Sequence, residues 1–271
     1  MSALKEQRLR ELVSSFDSLI IAFSGGVDSA YLAWVATAVL GPGALCVTAD
    51  SPSYPDRHRR LALRVAKQFG FRHEIVHTRE LERAEYRSNP TNRCYYCKHE
   101  LYSLLSEVAR DREFDVIADG SNADDRGDYR PGRQAAREFG VRSPLDDVGL
   151  TKAEIRELSH LAGLPTWDEP ASACLSSRIP YHSEVTDEKL RMIERAEDVL
   201  HDLGFRVCRV RHHEQLARLE IGLDELPRAL EPAVRDRLLT ELKAIGYTHI
   251  TIDLQGYRMG SLNEGLRLRP V

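Results

Sequence analysis

The apolar positions of the first half fall into short runs separated by longer mixed stretches. "SLIIAF" (18–23), "LCVTAD" (45–50), "RHEIVHT" (72–78) and "DVIADG" (115–120) have the length and β-branched content of strands. The stretches between them read as helices, one from about Val27, one from Pro55 to Phe69, one after Cys97, and "MSALKEQRLRELVSSF" precedes them as an amphipathic helix. Strands alternating with helices predict a parallel sheet with helices on both faces, an α/β fold with ligands at the carboxyl ends of the strands. The pattern lapses between Leu164 and His182, a long Pro- and Ser-rich loop carrying a Trp, a Cys and an Arg, and long loops in compact proteins tend to be functional or disordered. The helix "TDEKLRMIERAEDVLHDLG", the strand pair "FRVCRVR" and "LARLEIG", the helix "AVRDRLLTELKAIG" and the strand "HITIDL" then predict a small α+β domain. The expected division is 1–180 and 181–271, and 271 residues are enough for two cores.

Charge narrows the partners. Thirty-eight basic residues against 42 acidic ones give a formal net charge of -4, without the basic field that holds a long nucleic acid. No apolar stretch reaches membrane-spanning length, and the first residues do not resemble a signal or transit peptide, so a cytoplasmic protein is expected. Five cysteines, an odd number, argue against a disulfide framework, and each thiol is a candidate for core, ligand or nucleophile. Cys46 and Cys208 lie in apolar or alternating strands, where a buried thiol is the default.

The first candidate site is "FSGGVDSA". It lacks the lysine of a Walker A loop, G-x-x-x-x-G-K-[ST], but joins an apolar strand to a helix. Gly25 and Gly26 let successive backbone N–H groups converge on an anion, and the helix points its positive end at the same place. Ser24 and Ser29 add hydroxyl donors, and Asp28 can order a magnesium ion, so the pocket suits a pyrophosphate. This S-G-G-x-D-S stretch resembles the PP-loop ATP pyrophosphatases, the adenine nucleotide alpha hydrolase-like fold. The resemblance implies that ATP is cut between its α and β phosphates, that an acceptor oxygen is adenylated and that pyrophosphate leaves. Asp50, ending the second strand in "TADSP", and Asn122, Asp124 and Asp125 in "ADGSNADDRGDYRPG" belong at the same sheet edge, beside ATP and Mg2+. Lys152, in "LTKAEI", reads as a solvated residue in the first turn of a helix, with contact to a phosphate as the second reading.

Sulfur chemistry enters with "NRCYYCK" and "SACLSSRIPY". A C-x-x-C alone is ambiguous among a redox dithiol, half a zinc site and an iron–sulfur pair, and no second C-x-x-C completes a four-cysteine zinc site. With Cys174, Cys94 and Cys97 make three thiolates, enough to hold a four-iron cluster with one iron open to an outside ligand. "HEIVH" (73–77) matches the H-E-x-x-H metalloprotease pattern, but in a strand its histidines are spread to about 13 Å rather than the roughly 6 Å of one helical turn.

SGGVDS, "DGSNADDRGDYRPG", "PASACLSSRIPY" and "RVRHHEQLARLEIG" together resemble the LarE family of ATP-dependent sacrificial sulfur transferases, over about residues 18–255. The resemblance implies a pyridinium mononucleotide bearing carboxylates as substrate, nickel-pincer nucleotide synthesis as the setting, and a homo-oligomer. For single-cysteine members the resemblance implies that adenylation of a carboxylate makes a mixed anhydride, that the cysteine, Cys174 here, attacks it as a thiolate to form a thioester, and that elimination leaves a thiocarboxylate and dehydroalanine. Three-cysteine members imply instead a [4Fe-4S] cluster that relays sulfide from a donor and spares the protein, and Cys94, Cys97 and Cys174 fit that pattern. Arg178, Arg209 and Arg211 are candidates for the substrate's phosphate and carboxylates, although Arg209 and Arg211 could equally be the solvated face of a strand. Glu169 and His182 flank the loop without a motif that makes either the base. A PP-loop tRNA thiolase and a non-enzymatic nucleotide or iron–sulfur sensor are the alternatives; the first calls for a basic surface, and the second has no need of an intact SGGVDS.

Overall fold

The structure is a computed structural model and describes residues 2–127, 131–170 and 173–264. The described chain forms two compact units, 2–80 with 92–170 and 81–91 with 173–264.

Four parallel strands organise the first unit: β1 Leu19–Ala22, β2 Ala44–Asp50, β3 His73–His77 and β4 Val116–Ala118, in the order β3-β2-β1-β4. Alternation along the strands decides what each face carries. Leu19, Ile21, Ala44 and Cys46 pack with the helices Ser2–Ser14, Val27–Leu40, Asp56–Gln68 and Lys152–Leu161, through Leu9, Val13, Ala62, Val65, Ile155 and Leu158. Ile20, Leu45 and Val47 face the other way, onto Tyr102, Leu105 and Ala109 of the helix Arg93–Asp111 and Ala135 and Ala136 of Gly132–Glu138. The crossovers β1→β2→β3 thus run on one face and β3→β4 on the other, which makes β1/β4 the point where strand order reverses and a crevice opens at the carboxyl ends.

The helix expected after Cys97 begins at Arg93 and takes both Cys94 and Cys97 into its first turns. No Gly or Pro lies between Asn92 and Arg112, so nothing in the chain delays its start after Pro90. HEIVH is a strand, paired in parallel with β2. Among the described residues no helix is long and apolar enough to cross a membrane.

In the second unit, β5 Cys208–His213 pairs antiparallel with β6 Leu216–Ile221, and β7 His249–Ile252 adds parallel to β6. Cys208, Val210, Ala217 and Leu219 pack with Ala196, Val199 and Leu200 of the helix Asp187–Asp202 and with Leu238 and Leu242 of Pro232–Ile245. The stretch 173–180 and the segment 81–91 go with this unit for a visible reason. The Asn89 side chain donates to the carbonyls of Ile179 and Pro180 (3.3 and 2.8 Å), the Tyr86 and Ser176 hydroxyls bond at 2.6 Å, and the Val185 N–H donates to Arg87.

Candidate active site

At the carboxyl end of β1 the chain turns through Ser24 and Gly25 into the helix Val27–Leu40. Gly25 has φ +66°, and a Cβ there would stand 2.7 Å from Ala62 Cβ, so both backbone and neighbour demand glycine. Gly26 is the N-cap and provides no side-chain cap for the helix's first N–H groups. The Ser24 and Ser29 hydroxyls lie 3.1 Å apart, and Ser29 Oγ donates to the Gly26 carbonyl at 3.1 Å and accepts from the Ser24 N–H at 3.2 Å. Backbone donors, two hydroxyls and a helix N-terminus therefore converge on one small volume, an arrangement suited to phosphate oxygens.

The loops after β2 and β4 border it. Asn122 donates through Nδ2 to Asp28 Oδ1 at 3.2 Å, and Lys152 Nζ pairs with Asp28 Oδ2 at 2.5 Å. Asp125 accepts the Asn122 N–H at 3.0 Å, and Asp124 accepts the Lys152 N–H at 2.8 Å, so the acidic run shapes the turn that presents Asn122. Asp128–Arg130 of the same motif lie outside the described residues. Asp50 pairs with Arg59 at 3.1 Å, and the Tyr54 hydroxyl donates to the Ser24 carbonyl at 2.8 Å, joining the β2 loop to the phosphate loop. Burial, with the Asp50 charge adding to it, raises the Tyr54 hydroxyl well above its ordinary range and keeps it a donor. His73 bonds Thr48 at 2.8 Å; burial lowers its pKa, as befits a neutral packed ring rather than half of a metal pair.

Cys94 and Cys97 sit three apart on the helix Arg93–Asp111, exposed and half-buried respectively, and belong to none of the apolar cores. Cys174, half-buried in the second unit, precedes a 3-10 turn at Leu175–Arg178; Ala171 and Ser172 before it lie outside the described residues. Arg178 is 1% exposed. Its Nε and Nη2 meet the two Glu197 oxygens at 2.9 and 2.8 Å, and its Nη1 donates to the carbonyls of Ala173 and Cys174 and to Ser177 Oγ. Burial alone would raise the Glu197 carboxyl, but the Arg178 guanidinium outweighs it and holds that carboxyl below the usual glutamate range. Arg178 thereby fixes the backbone on both sides of the Cα of Cys174.

Arg209 and Arg211 are buried on β5, which removes the solvated-face reading. Arg211 donates to the Ser177 carbonyl (2.7 Å), to Glu220 (2.8 Å) and to Ser261 Oγ (2.7 Å), while Arg209 donates to the Cys208 carbonyl and lies over the Tyr257 ring. Burial, reinforced by the Arg178 charge, lowers the Arg209 pKa. Cys46 and Cys208 are fully buried, and burial pushes both thiols up to about 12, away from nucleophilic use. Of the two candidate bases, Glu169 accepts at its carbonyl from Arg156 in the first unit, and His182 is exposed in the second.

Three features, one in the first unit and two in the second, escaped the sequence. Gly120 is one, since a Cβ there would meet the Ser29 nitrogen at 2.9 Å. The 81–91 clamp on the Cys174 loop is another. The third is Glu197, which had a signal: it continues the buried Leu190, Ile193, Leu200 stripe of its helix, where a lone glutamate implies a buried partner. Residues of the right type for a cluster are present, with the Cys94–Cys97 spacing of a ligand pair on one helical face. Among the described residues, no three His, Cys, Asp or Glu side chains form a group that could hold a metal ion.

A parallel sheet whose order reverses at β1, with a glycine-hydroxyl phosphate loop at that point, is a PP-loop-type α/β fold. The asparagine synthase family profile matches residues 5–124. An uncharacterised protein of Synechocystis sp. is 43% identical, with 97% of this chain and 98% of that protein aligned. The pyridinium-3,5-bisthiocarboxylic acid mononucleotide synthase of Lactiplantibacillus plantarum is 32% identical over 97% of this chain and 95% of its own. An uncharacterised protein of Methanocaldococcus jannaschii is 28% identical over 89% and 90%. The chain belongs to the LarE family of PP-loop proteins and is an ATP-dependent sulfurtransferase.

Proposed function

We infer that the enzyme converts carboxylates of a pyridinium mononucleotide into thiocarboxylates on the way to a nickel-pincer nucleotide. The observation that carries this reading is the end-to-end similarity to a synthase named for a pyridinium bisthiocarboxylic acid mononucleotide. A substrate carboxylate oxygen attacks the α-phosphorus of ATP; the bond to the bridging oxygen breaks and pyrophosphate leaves through the Ser24–Ser29 loop. Gly25, Gly26, Ser24 and Ser29 hold the phosphates, Asp28 the magnesium, and Asp50, Asn122 and Asp125 line the nucleotide's edge of the sheet. The Cys174 thiolate then attacks the acyl carbon and AMP leaves, forming a thioester. Removal of the Cys174 Cα proton breaks its Cβ–S bond, giving a thiocarboxylate and dehydroalanine. Arg178 fixes the Cys174 backbone for this step, and Arg209 and Arg211 provide cationic groups for the substrate's phosphate and carboxylates. The setting is cytoplasmic, with small molecules rather than nucleic acid as partners, in a homo-oligomer.

A second route to the sulfur is favoured by Cys94 and Cys97, which share a helical face yet join no apolar core. With Cys174 they would hold a four-iron cluster, whose open iron would carry sulfide from a donor. The test is an anaerobic reaction with ATP, Mg2+ and the pyridinium dicarboxylate mononucleotide, read for pyrophosphate, thiocarboxylate and chain mass. Pyrophosphate release that ignores the pyridinium substrate overturns the function. A chain lighter by one hydrogen sulfide at Cys174 identifies the sacrificial route. Brown protein with about four irons per chain, repeated turnover on sulfide and unchanged mass identifies the cluster.

A further inference from the structure

The Asp28–Lys152 pair is built with more care than an incidental surface contact. Lys152 opens the helix Lys152–Leu161, whose start is fixed from several sides. Thr151 and Glu154 form a reciprocal capping box, Glu154 also pairs with Lys5 Nζ at 2.7 Å, and the Lys152 N–H is held by Asp124. From this anchored turn the side chain crosses to Asp28 in the first turn of the helix behind the phosphate loop, 124 positions away in sequence. Asn122 occupies the other Asp28 oxygen. The Lys152 and Asp28 side chains are 35% and 20% exposed, so the pair lies in the open site and adds little to stability.

We propose that Lys152 is a phosphate-binding residue parked on Asp28 in the nucleotide-free enzyme, so that metal and ammonium compete for one carboxylate. Arrival of Mg2+-ATP gives the Asp28 oxygen to the dication and releases the ammonium to the β and γ phosphates, the part that leaves as pyrophosphate. Both charges exchange partners and none is left bare, which keeps the switch low in cost. A loop without a metal thus has its anionic ligand already neutralised, and one with Mg2+-ATP gains a third cationic group beside the metal and the helix terminus. The inference rests on the placement of the triphosphate at Ser24–Ser29.

The test uses the full chain, α,β-methylene-ATP and Mn2+, with bound metal read by electron paramagnetic resonance and nucleotide by calorimetry. Lys152→Met should bind Mn2+ tighter, by about threefold or more, because Asp28 is freed. It should bind the nucleotide about tenfold more weakly, because a charge-assisted contact to phosphate is lost. Lys152→Arg should recover most of the nucleotide affinity. Opposite signs for metal and nucleotide are the signature, since a merely structural lysine would weaken both or neither. Weakening of both, or an unchanged Mn2+ affinity, overturns the lock. Wild-type enzyme that binds no nucleotide at all overturns the placement of the triphosphate instead, and the lock with it.

Discussion

The phosphate loop and the arginine-rich sheet are two ways of preparing for anions. In the loop the donors are backbone N–H groups and two serine hydroxyls bonded mainly to one another, with glycine where a Cβ would intrude. In the sheet unit the donors are guanidinium groups already engaged by buried glutamates, Arg178 with Glu197 and Arg211 with Glu220. Dipoles can stand ready without a counter-ion, whereas a buried charge needs one before the substrate comes. The loop is therefore organised by shape and the arginine set by charge balance, and different substitutions should break them.

The largest effect is expected from Glu197→Ala, which leaves Arg178 buried without its carboxylate and the Val210 N–H without an acceptor. Loss of one partner of a buried pair costs about 3–5 kcal/mol. The denaturant midpoint should fall accordingly and sulfur transfer with it; a shift within experimental error would show that charge balance does not organise this unit. Gly25→Ala tests the loop's reliance on shape. A left-handed non-glycine residue costs about 1–3 kcal/mol, and displacement of the phosphates should slow pyrophosphate release by roughly a hundredfold. Gly26→Ala, at φ -75° with a Cβ 3.5 Å from Ser24 Oγ, should keep the loop's shape and most of its release rate. Equal damage from both variants would remove the shape argument.

Arg209→Ala and Arg211→Ala should weaken the pyridinium mononucleotide by about tenfold or more while ATP binding changes less, because guanidinium contacts to anions are charge-assisted. Calorimetry with each ligand decides, and equal losses would point to a folding defect. The thiols extend the contrast: Cys46→Ala and Cys208→Ala should keep sulfur transfer at a stability cost of about 1 kcal/mol. Cys174→Ala should abolish transfer with the melting temperature nearly unchanged.

The smallest effect concerns pH. Burial lowers the pKa of His73 in the first unit and of His212 in the second. Below the unfolded value near 6.5 the unfolded chain takes up protons that the folded chain refuses, so stability should fall from neutrality toward pH 5.5. The slope is at most about 1.4 kcal/mol per pH unit per histidine. His73→Gln should flatten that slope, and an unchanged slope would show that His73 already binds its proton in the fold.

The strand–helix alternation and S-G-G-x-D-S were legible because each is local. An apolar run, a turn glycine and a helix start lie within a dozen residues, and their spacing alone dictates a phosphate-sized turn at a sheet edge. The start of the helix at Arg93 was less so, since the absence of a breaker is a weaker mark than a breaker. What the sequence could not determine is which charges meet. Asp28 finds Lys152 across 124 residues, Arg178 finds Glu197 on the next helix, and 81–91 clamps a loop some ninety positions downstream. Each of these depends on how strands are ordered and helices packed, and a long flexible side chain reads the same in sequence whether water or a buried carboxylate awaits it. Local steric rules fixed the phosphate loop, while the partners that position Cys174 were decided only when tertiary packing excluded water from their charges.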